Sequence, residues 1–541
     1  MITFSRFGKK GRLGNQLFHL AGMLAFSKKY EQKLQMPNWS YQRYFQIPDN
    51  VFGPVIKGFK DIDEDDFHYV PEHWDPIKSG NWDISAWLQT EKYWEEYMDD
   101  IRSVFKWESN FEASVLKTKD LPDFSTAIAI SIRRGDYVNN KNYDLLPVSY
   151  YMQALMKEFP DWMERPIMIF TDDIPYCRLH FEGLPNVWFA EGLGDIVQLC
   201  LMSHCSGFVI ANSTFSWWGA YLGELRDPGV KIVRPAYLFD GPLKQKSDSK
   251  DHWPERWTVY DHKNPDGSHK KYDLTDVTFT IPVMYDHIDR RHNLDLNVCL
   301  LQRVFDTNIM VIELIMNGMK PAFEHMREYV DYKWDYMEFF HRTKMLNNMA
   351  IMSTTPIIAN WDADVAVPEV QIVVAVEMIR RGLADGVYPY DGRFARVPRK
   401  DWFVALEKAL DLGIYKDTRF KGTRGFVDRS SVGGAVIWNR AKFFEGGGEN
   451  ENFISHAPED AERWERFRFL GFRVQRVEGQ LFHMDHHVGP NSSNRHGFQQ
   501  HNGNAWAEFR SYLDGGDVAK MWEWVKGWPW YQKLFCKEVK E

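Results

Sequence analysis

At 541 residues, with 44% hydrophobic and 15% aromatic content, the sequence can fill more than one core, and two to four domains are expected. A formal net charge of −9 argues against nucleic acid as the main partner. The five cysteines (Cys177, Cys200, Cys205, Cys299, Cys536) form no CxxC pair, no signal sequence opens the chain and no long apolar run appears. Those features predict a cytoplasmic protein with structural thiols and no transmembrane segment.

In chain order, a short strand at Ile2–Ser5 precedes the glycine loop Gly8-Lys-Lys-Gly-Arg-Leu-Gly-Asn15. Leu17, Leu20, Ala21, Leu24 and Ala25 then recur at helical spacing. Strand, glycine loop and helix can bring backbone N–H groups close to a ligand, although a plain tight turn has the same composition. The β-prone run Ala127–Ile130 delivers Ser131-Ile-Arg-Arg-Gly-Asp-Tyr137 at its carboxyl end, where α/β sheets bind ligands. Guanidinium groups match phosphate oxygens, so a nucleotide diphosphate is the natural ligand for Arg133 and Arg134. Strand alternation predicts that both reach it only if the strand has already ended. A second buried strand, Ile167–Phe170, ends in Thr171-Asp172-Asp173, and a third, Phe208–Ala211, runs into Asn212-Ser-Thr-Phe-Ser-Trp-Trp218. Asn212, Ser213 and Thr214 can cap the following helix, whose hydroxyl-rich start can also bind an anion.

Polar, charged residues between 241 and 273 predict a linker, and the pattern then restarts with strands at Val277–Val283 and Ile309–Glu313. His341-Arg-Thr-Lys344 opens a helix leading to the strand Pro356–Asn360 and then to Asp362-Ala-Asp364. Two aspartates one residue apart can converge on a hard divalent cation, while a solvated turn is the plainer reading. Glu459 and Asp460 follow Pro458, where acids complement a helix dipole, and His483 and His486 follow another strand candidate. The aromatic tail from Trp506 is expected to pack back on the second half, and it leaves peripheral membrane contact open.

Gly11-Arg-Leu-Gly-Asn-Gln-Leu-Phe18, Ser131–Tyr137, Phe170–Asp173 and Asn212–Trp218 occur in an order and wording that resemble the α-1,2-fucosyltransferases that use GDP-fucose. The resemblance spans residues 1–262. It implies two facing Rossmann-like lobes (GT-B-like), no metal, and transfer with inversion to a terminal β-galactoside. It also places Gly11, Gly14, Asn15, Arg133, Arg134, Asp172, Ser213, Thr214 and Ser216 around the donor, with Arg134 and Asp136 in catalysis. Many members carry His where Ser131 stands, so any role of that His must be met otherwise. Residues 275–490, through His341–Lys344, Asn347, Asp362-x-Asp364, Asp460 and His483, resemble GT-A β-galactosyltransferases and chondroitin-synthase-like enzymes. That resemblance implies Mn²⁺ or Mg²⁺ on Asp362, Asp364 and His483, with His486 an alternative ligand. Arg342 and Lys344 would lie toward a UDP-sugar, expected to be UDP-galactose, and Asp460 would be the base. The expected whole is an α/β chain of 1–262, a linker at 263–273, 274–505 and a helical tail at 506–541. It would be a bifunctional glycosyltransferase acting on a lipid- or protein-linked glycan acceptor. A chain with one catalytic half, or a glycan-binding scaffold, is the alternative.

Overall fold

The computed structural model describes residues 1–64, 67–316, 318–398, 430–489 and 497–535. Cys536 lies outside them. The fold is α/β with several parallel sheets, and the chain divides into two compact units. One comprises Met1–Cys177 with Pro185–Lys270, and the other Arg178–Leu184 with Lys271–Glu541.

Two main sheets build the first unit, beside a short parallel pairing of Met36–Pro37 with Phe52–Gly53. The smaller joins β1 (Ile2–Thr3), β2 (Lys60–Ile62) and β3 (Trp82–Ile84) in the order β1-β3-β2, all parallel. Helix α1 (Leu13–Lys29) follows β1. The larger joins β4 (Ile128–Ile132), β5 (Ile167–Thr171), β6 (Val187–Phe189), β7 (Gly207–Ile210), β8 (Lys231–Pro235) and β9 (Thr258–Tyr260) in the order β9-β8-β7-β4-β5-β6. Every pairing in it is parallel. The central strands are buried on both faces, which explains their unbroken apolar runs. Helix α2 (Thr214–Arg226) follows β7 and buries Trp217 and Trp218 completely. Phe18 of α1 packs against both, with ring centroids 4.5 and 5.4 Å apart, so the helices lock face to face. Burial of each large aromatic side chain stabilises by roughly 1.5–3 kcal/mol.

Residues 263–273, expected as a linker, are ordered. Asn264-Pro-Asp-Gly-Ser268 forms a tight turn in which Gly267 N–H donates to Asn264 O at 2.9 Å, with Gly267 at φ +85°. Lys263 and His269 form an antiparallel bridge, and the next strand begins at Tyr272. The polar composition there serves turn formation just before the division between the two units at Lys270 and Lys271.

The second unit is built on β10 (Tyr272–Met284), β11 (Phe305–Ile315), β12 (Asp331–Tyr336), β13 (Ile357–Trp361), β15 (Gly386–Tyr388), β17 (Ala435–Asn439) and β18 (Val474–Arg476). Their order is β12-β11-β10-β13-β17-β15-β18, with β17 antiparallel to both neighbours. A small sheet sets β19 (Leu481–Met484) between β14 (Val365–Ala366) and β16 (Phe394–Val397). Helix α3 (Ile288–Val304) follows β10, α4 (Arg342–Met352) precedes β13, and α5 (Glu459–Phe469) precedes β18. In the tail, α6 (Gln499–Asp514) and α7 (Val518–Lys526) pack back on this unit, Val525 and Trp528 covering Gly447.

One contact sets the first unit's geometry. A Cβ on Gly14 would stand 2.5 Å from the backbone of Thr214 and Phe215, so the first turns of α1 and α2 meet without side chains between them. Gly14→Ala should therefore force them apart and cost about 1–3 kcal/mol, seen as a lower denaturant midpoint. An unchanged midpoint would mean that the two helix starts are not in this contact.

Candidate functional site

In the first unit, a cavity of about 570 Å³ opens at the carboxyl ends of the strands. The end of α1 contributes Leu13, Gly14 and Asn15, and the end of α2 contributes Thr214, Phe215 and Ser216. Neither N-cap side chain, Arg12 or Ser213, bonds back to its helix. Two helix starts without side-chain caps, carrying their first-turn N–H groups and positive dipole ends into one cavity, form an anion site. Ser131 and Ser216 join β4 to this turn through a buried 2.7 Å hydroxyl contact.

The two arginines diverge. Arg133 lines the cavity, with its guanidinium on Asp172 at 2.7 Å and on Asp136. Arg134 turns away: its side chain is 8% exposed, paired with Asp173 at 3.3 Å, and stacked 3.4 Å from the Tyr176 ring centroid. The expectation that it serves donor binding and catalysis meets a side chain turned to Asp173 and Tyr176 instead; β4 has ended at Ile132, so the divergence belongs to the turn that follows the strand. Asp172 also accepts the Arg134 backbone N–H at 2.9 Å and fills the space that a Cβ on Gly135 would need. Asp136 is shared, since Arg12 meets its other oxygen at 2.7 Å, so it orients both arginines. Asn15 accepts from Gln89 at 2.9 Å, and Gly11, at φ +75°, shapes the loop without lining the cavity. Tyr137 and Tyr143, stacked at 4.1 Å, stand with Phe239 along an aromatic wall.

The second unit has a cavity of about 430 Å³, again at strand ends. Asp362 and Asp364 both line it but face different partners, as positions two apart can once a strand has ended, here at Trp361. Asp362 accepts from Arg342 at 2.8 and 3.1 Å. Asp364 instead faces His486 at 3.2 Å, His483 at 3.6 Å and the Arg290 guanidinium. One ligand atom from each of Asp364, His483 and His486 lies within 4.8 Å of the others. These three, not Asp362, could hold a cation, and two imidazoles with one carboxylate suit Mn²⁺ better than Mg²⁺. Cross-strand pairing of His483 with Val365 explains the convergence. Burial holds His483 below its usual range, and Asp364 is lowered because the two histidines and Arg290 outweigh its burial.

Asp460, at the start of α5, is 24% exposed and paired with Arg342 at 3.2 Å and Arg463 at 2.7 Å. Burial raises its carboxyl, but the two guanidiniums outweigh that and leave it lowered. Its neighbour Glu459 goes the other way, pushed up by burial and by the Asp460 charge. Adjacent carboxyls split in this way keep one ionised and one protonated near neutrality. Arg463 is 1% exposed and also meets Glu449, itself 0% exposed, at 2.8 Å, so the base candidate hangs on a buried charge network. Lys344 is exposed on α4 and does not line the cavity, which removes it from the expected nucleotide contacts.

Sequence reading missed Arg12, Trp87 and Gln89 in the first cavity and Arg290 in the second. Arg290 lies just after the first strand of its unit, a position that strand-end logic could have flagged. Trp87 and Gln89 follow a three-residue strand too short to announce itself.

The sequence profile of Glycosyl transferase family 11 matches residues 7–259. An Escherichia coli alpha-1,2-colitosyltransferase is 30% identical over 282 residues, 46% of this chain and 95% of that protein. The Escherichia coli O-antigen biosynthesis glycosyltransferase WbnK is 36% identical over 125 residues, 22% of this chain and 41% of that protein. A mutant of Drosophila β1,4-galactosyltransferase 7, solved with manganese, UDP-Gal and xylobiose, aligns with 38% of this chain and 65% of that chain at 13% identity and TM-score 0.24. S. aureus TarS aligns with 39% of this chain and 36% of that chain at 10% identity and TM-score 0.27. At those scores neither superposition defines a shared fold.

The geometry of the second cavity makes a ligand-level prediction. His486→Ala should weaken Mn²⁺ binding at least about tenfold, whereas Asp362→Asn should change it far less, as read by Mn²⁺ electron paramagnetic resonance titration. A larger loss from Asp362→Asn would place the cation between the two aspartates instead.

Proposed function

Because the chain belongs to glycosyl transferase family 11, the α-1,2-fucosyltransferase family, through its first half, we propose that the first unit moves fucose from GDP-fucose to a terminal β-galactoside. The observation that carries this is the pair of uncapped helix starts with Arg133 in one cavity. Cleavage of the sugar–phosphate bond puts charge on the departing diphosphate, and preorganised N–H groups with a fixed guanidinium stabilise it without a metal. Asp136, bridging Arg12 and Arg133, keeps both guanidiniums in place until phosphate oxygens take over. In this reading the two parallel sheets of the unit correspond to the facing lobes expected from the family resemblance.

For the second unit we propose transfer of a hexose, galactose by preference, from a UDP-sugar with inversion. Asp460 supports this as an ionised carboxylate within the cavity, able to take the acceptor hydroxyl proton. Arg342, now shared by Asp362 and Asp460, would turn one arm to the nucleotide. A Mn²⁺ ion on Asp364, His483 and His486 would supply charge neutralisation for the UDP diphosphate. Since one unit would make a β-galactoside and the other consume one, the economical order is galactosyl transfer first and fucosyl transfer second.

Two manipulations should separate the activities. Arg133→Ala should lower fucosyl transfer by about 10²–10³ and spare UDP-sugar transfer, while EDTA should do the reverse. Supplied with a bare acceptor, the protein should fucosylate only when UDP-galactose is also present. Equal EDTA sensitivity of both transfers, or efficient fucosylation of the bare acceptor without UDP-galactose, would contradict the assignment. A colitosyl donor tested beside GDP-fucose decides between the two donor sugars.

A further inference from the structure

The loop after β3, residues 85–90, is held in a conformation that needs explanation. Leu88 sits at φ +54°, a left-handed backbone that a bulky L-residue rarely adopts, and it is fully buried against Gly22 of α1. Such outliers persist only where the surroundings over-determine them, and they cluster at ligand sites. Here the surroundings are specific. One oxygen of Glu64 accepts both the Trp87 N–H at 2.9 Å and the Leu88 N–H at 3.3 Å, while the other accepts the Tyr93 hydroxyl at 2.8 Å. The Gln89 side chain donates to Asn15, and the Gln89 backbone carbonyl meets a His252 ring nitrogen at 2.9 Å. The ammonium of Lys10 lies 4.7 Å from the Trp87 ring centroid and bonds Ser85 O.

What this clamp presents to the cavity is the Trp87 indole with the amides of Gln89 and Asn15. That wall differs in chemistry from the one formed by the helix starts and Arg133. It offers an aromatic surface and neutral hydrogen-bonding groups, which suit a pyranose rather than a phosphate. It also arises from the smaller sheet, whereas Arg133, Ser213 and Thr214 arise from the larger one. Resting on the fucosyltransferase reading of this cavity, we propose that Trp87 is the platform for the acceptor's terminal sugar and that Glu64 is the residue positioning it. The role of Glu64 is that of a neutral-capable acceptor of N–H bonds, not a base. Burial pushes its carboxyl up to about 7, so near neutrality it is protonated part of the time. Both N–H groups go to a single oxygen, a geometry that an amide reproduces.

The test uses the full chain with Trp87→Ala, Glu64→Ala and Glu64→Gln. Three quantities are measured: acceptor KM at saturating GDP-fucose, GDP-fucose hydrolysis without acceptor, and GDP affinity by calorimetry. Trp87→Ala and Glu64→Ala should raise acceptor KM roughly tenfold or more while hydrolysis and GDP affinity stay near wild type. Glu64→Gln should rescue the acceptor KM lost in Glu64→Ala. An unchanged acceptor KM in Trp87→Ala overturns the platform, and lost donor hydrolysis there assigns the indole to the donor sugar instead. Loss of activity in Glu64→Gln as deep as in Glu64→Ala overturns the positioning role, because the charge or proton would then be required. If Glu64→Ala does not fold, Trp87→Ala and Glu64→Gln decide the two claims alone. Wild-type protein that neither binds GDP nor hydrolyses GDP-fucose would instead overturn the fucosyltransferase reading itself.

Discussion

The approach of Gly14 to the backbone of Thr214 and Phe215 governs the first unit. It sets the first turns of α1 and α2 side by side, and neither helix spends its N-cap side chain on itself. Each helix start leaves N–H groups that an anion or water must satisfy. The apolar contacts of Phe18 with Trp217 and Trp218 hold that electrostatically unfavourable pairing of like dipole ends together. Packing energy in the core thereby holds two helix starts, with their unpaired N–H groups, at the cavity. Arg133 adds a full charge, kept in place by Asp136 and Asp172.

The second unit meets a related demand by other means. Its cavity is rich in carboxylates; Arg290, Arg342 and Arg396 line it, and the buried Arg463 reaches Asp460 from the core side. Arg463 and Glu449 are wholly buried, so loss of either would strand its partner in the core, a cost of about 3–5 kcal/mol. That network fixes Asp460 without neutralising it, as its lowered carboxyl reflects. The cluster of Asp364, His483 and His486 is separate from this network, although Asp362 and Asp364 are only two residues apart.

The strand ends were legible because buried parallel strands write themselves as short apolar runs, and the polar residues that follow stand at the sheet's carboxyl edge. Ser131, Arg133, Asp172, Ser213, Thr214 and Ser216 all line the first cavity, and Arg342, Asp362, Asp364, Asp460 and His483 all line the second. What the pattern did not resolve was orientation beyond a strand's last residue. Arg133 and Arg134 are adjacent, yet one faces the cavity and the other a tyrosine ring. Asp362 and Asp364 share a spacing suited to one ligand, yet an arginine claims the first. Trp87 and Gln89 owe their position to Glu64, Asn15 and His252, partners between 23 and 163 residues away in the chain. No local window contains such information. Within the polar stretch 263–273, where the two units divide, the tight turn was not legible, since turn formers and linkers draw on the same residues.

If both cavities bind nucleotide diphosphates as proposed, their anionic charge is met differently, by helix starts and arginine in one and by a cation cluster in the other. Isothermal titration of GDP in EDTA, followed by UDP with Mn²⁺ on the GDP-saturated protein, tests it most directly. One GDP per chain should bind without any metal, then one UDP per chain that requires Mn²⁺ and is indifferent to bound GDP. Competition between the two nucleotides for a single site, or GDP binding that appears only with Mn²⁺, would contradict it.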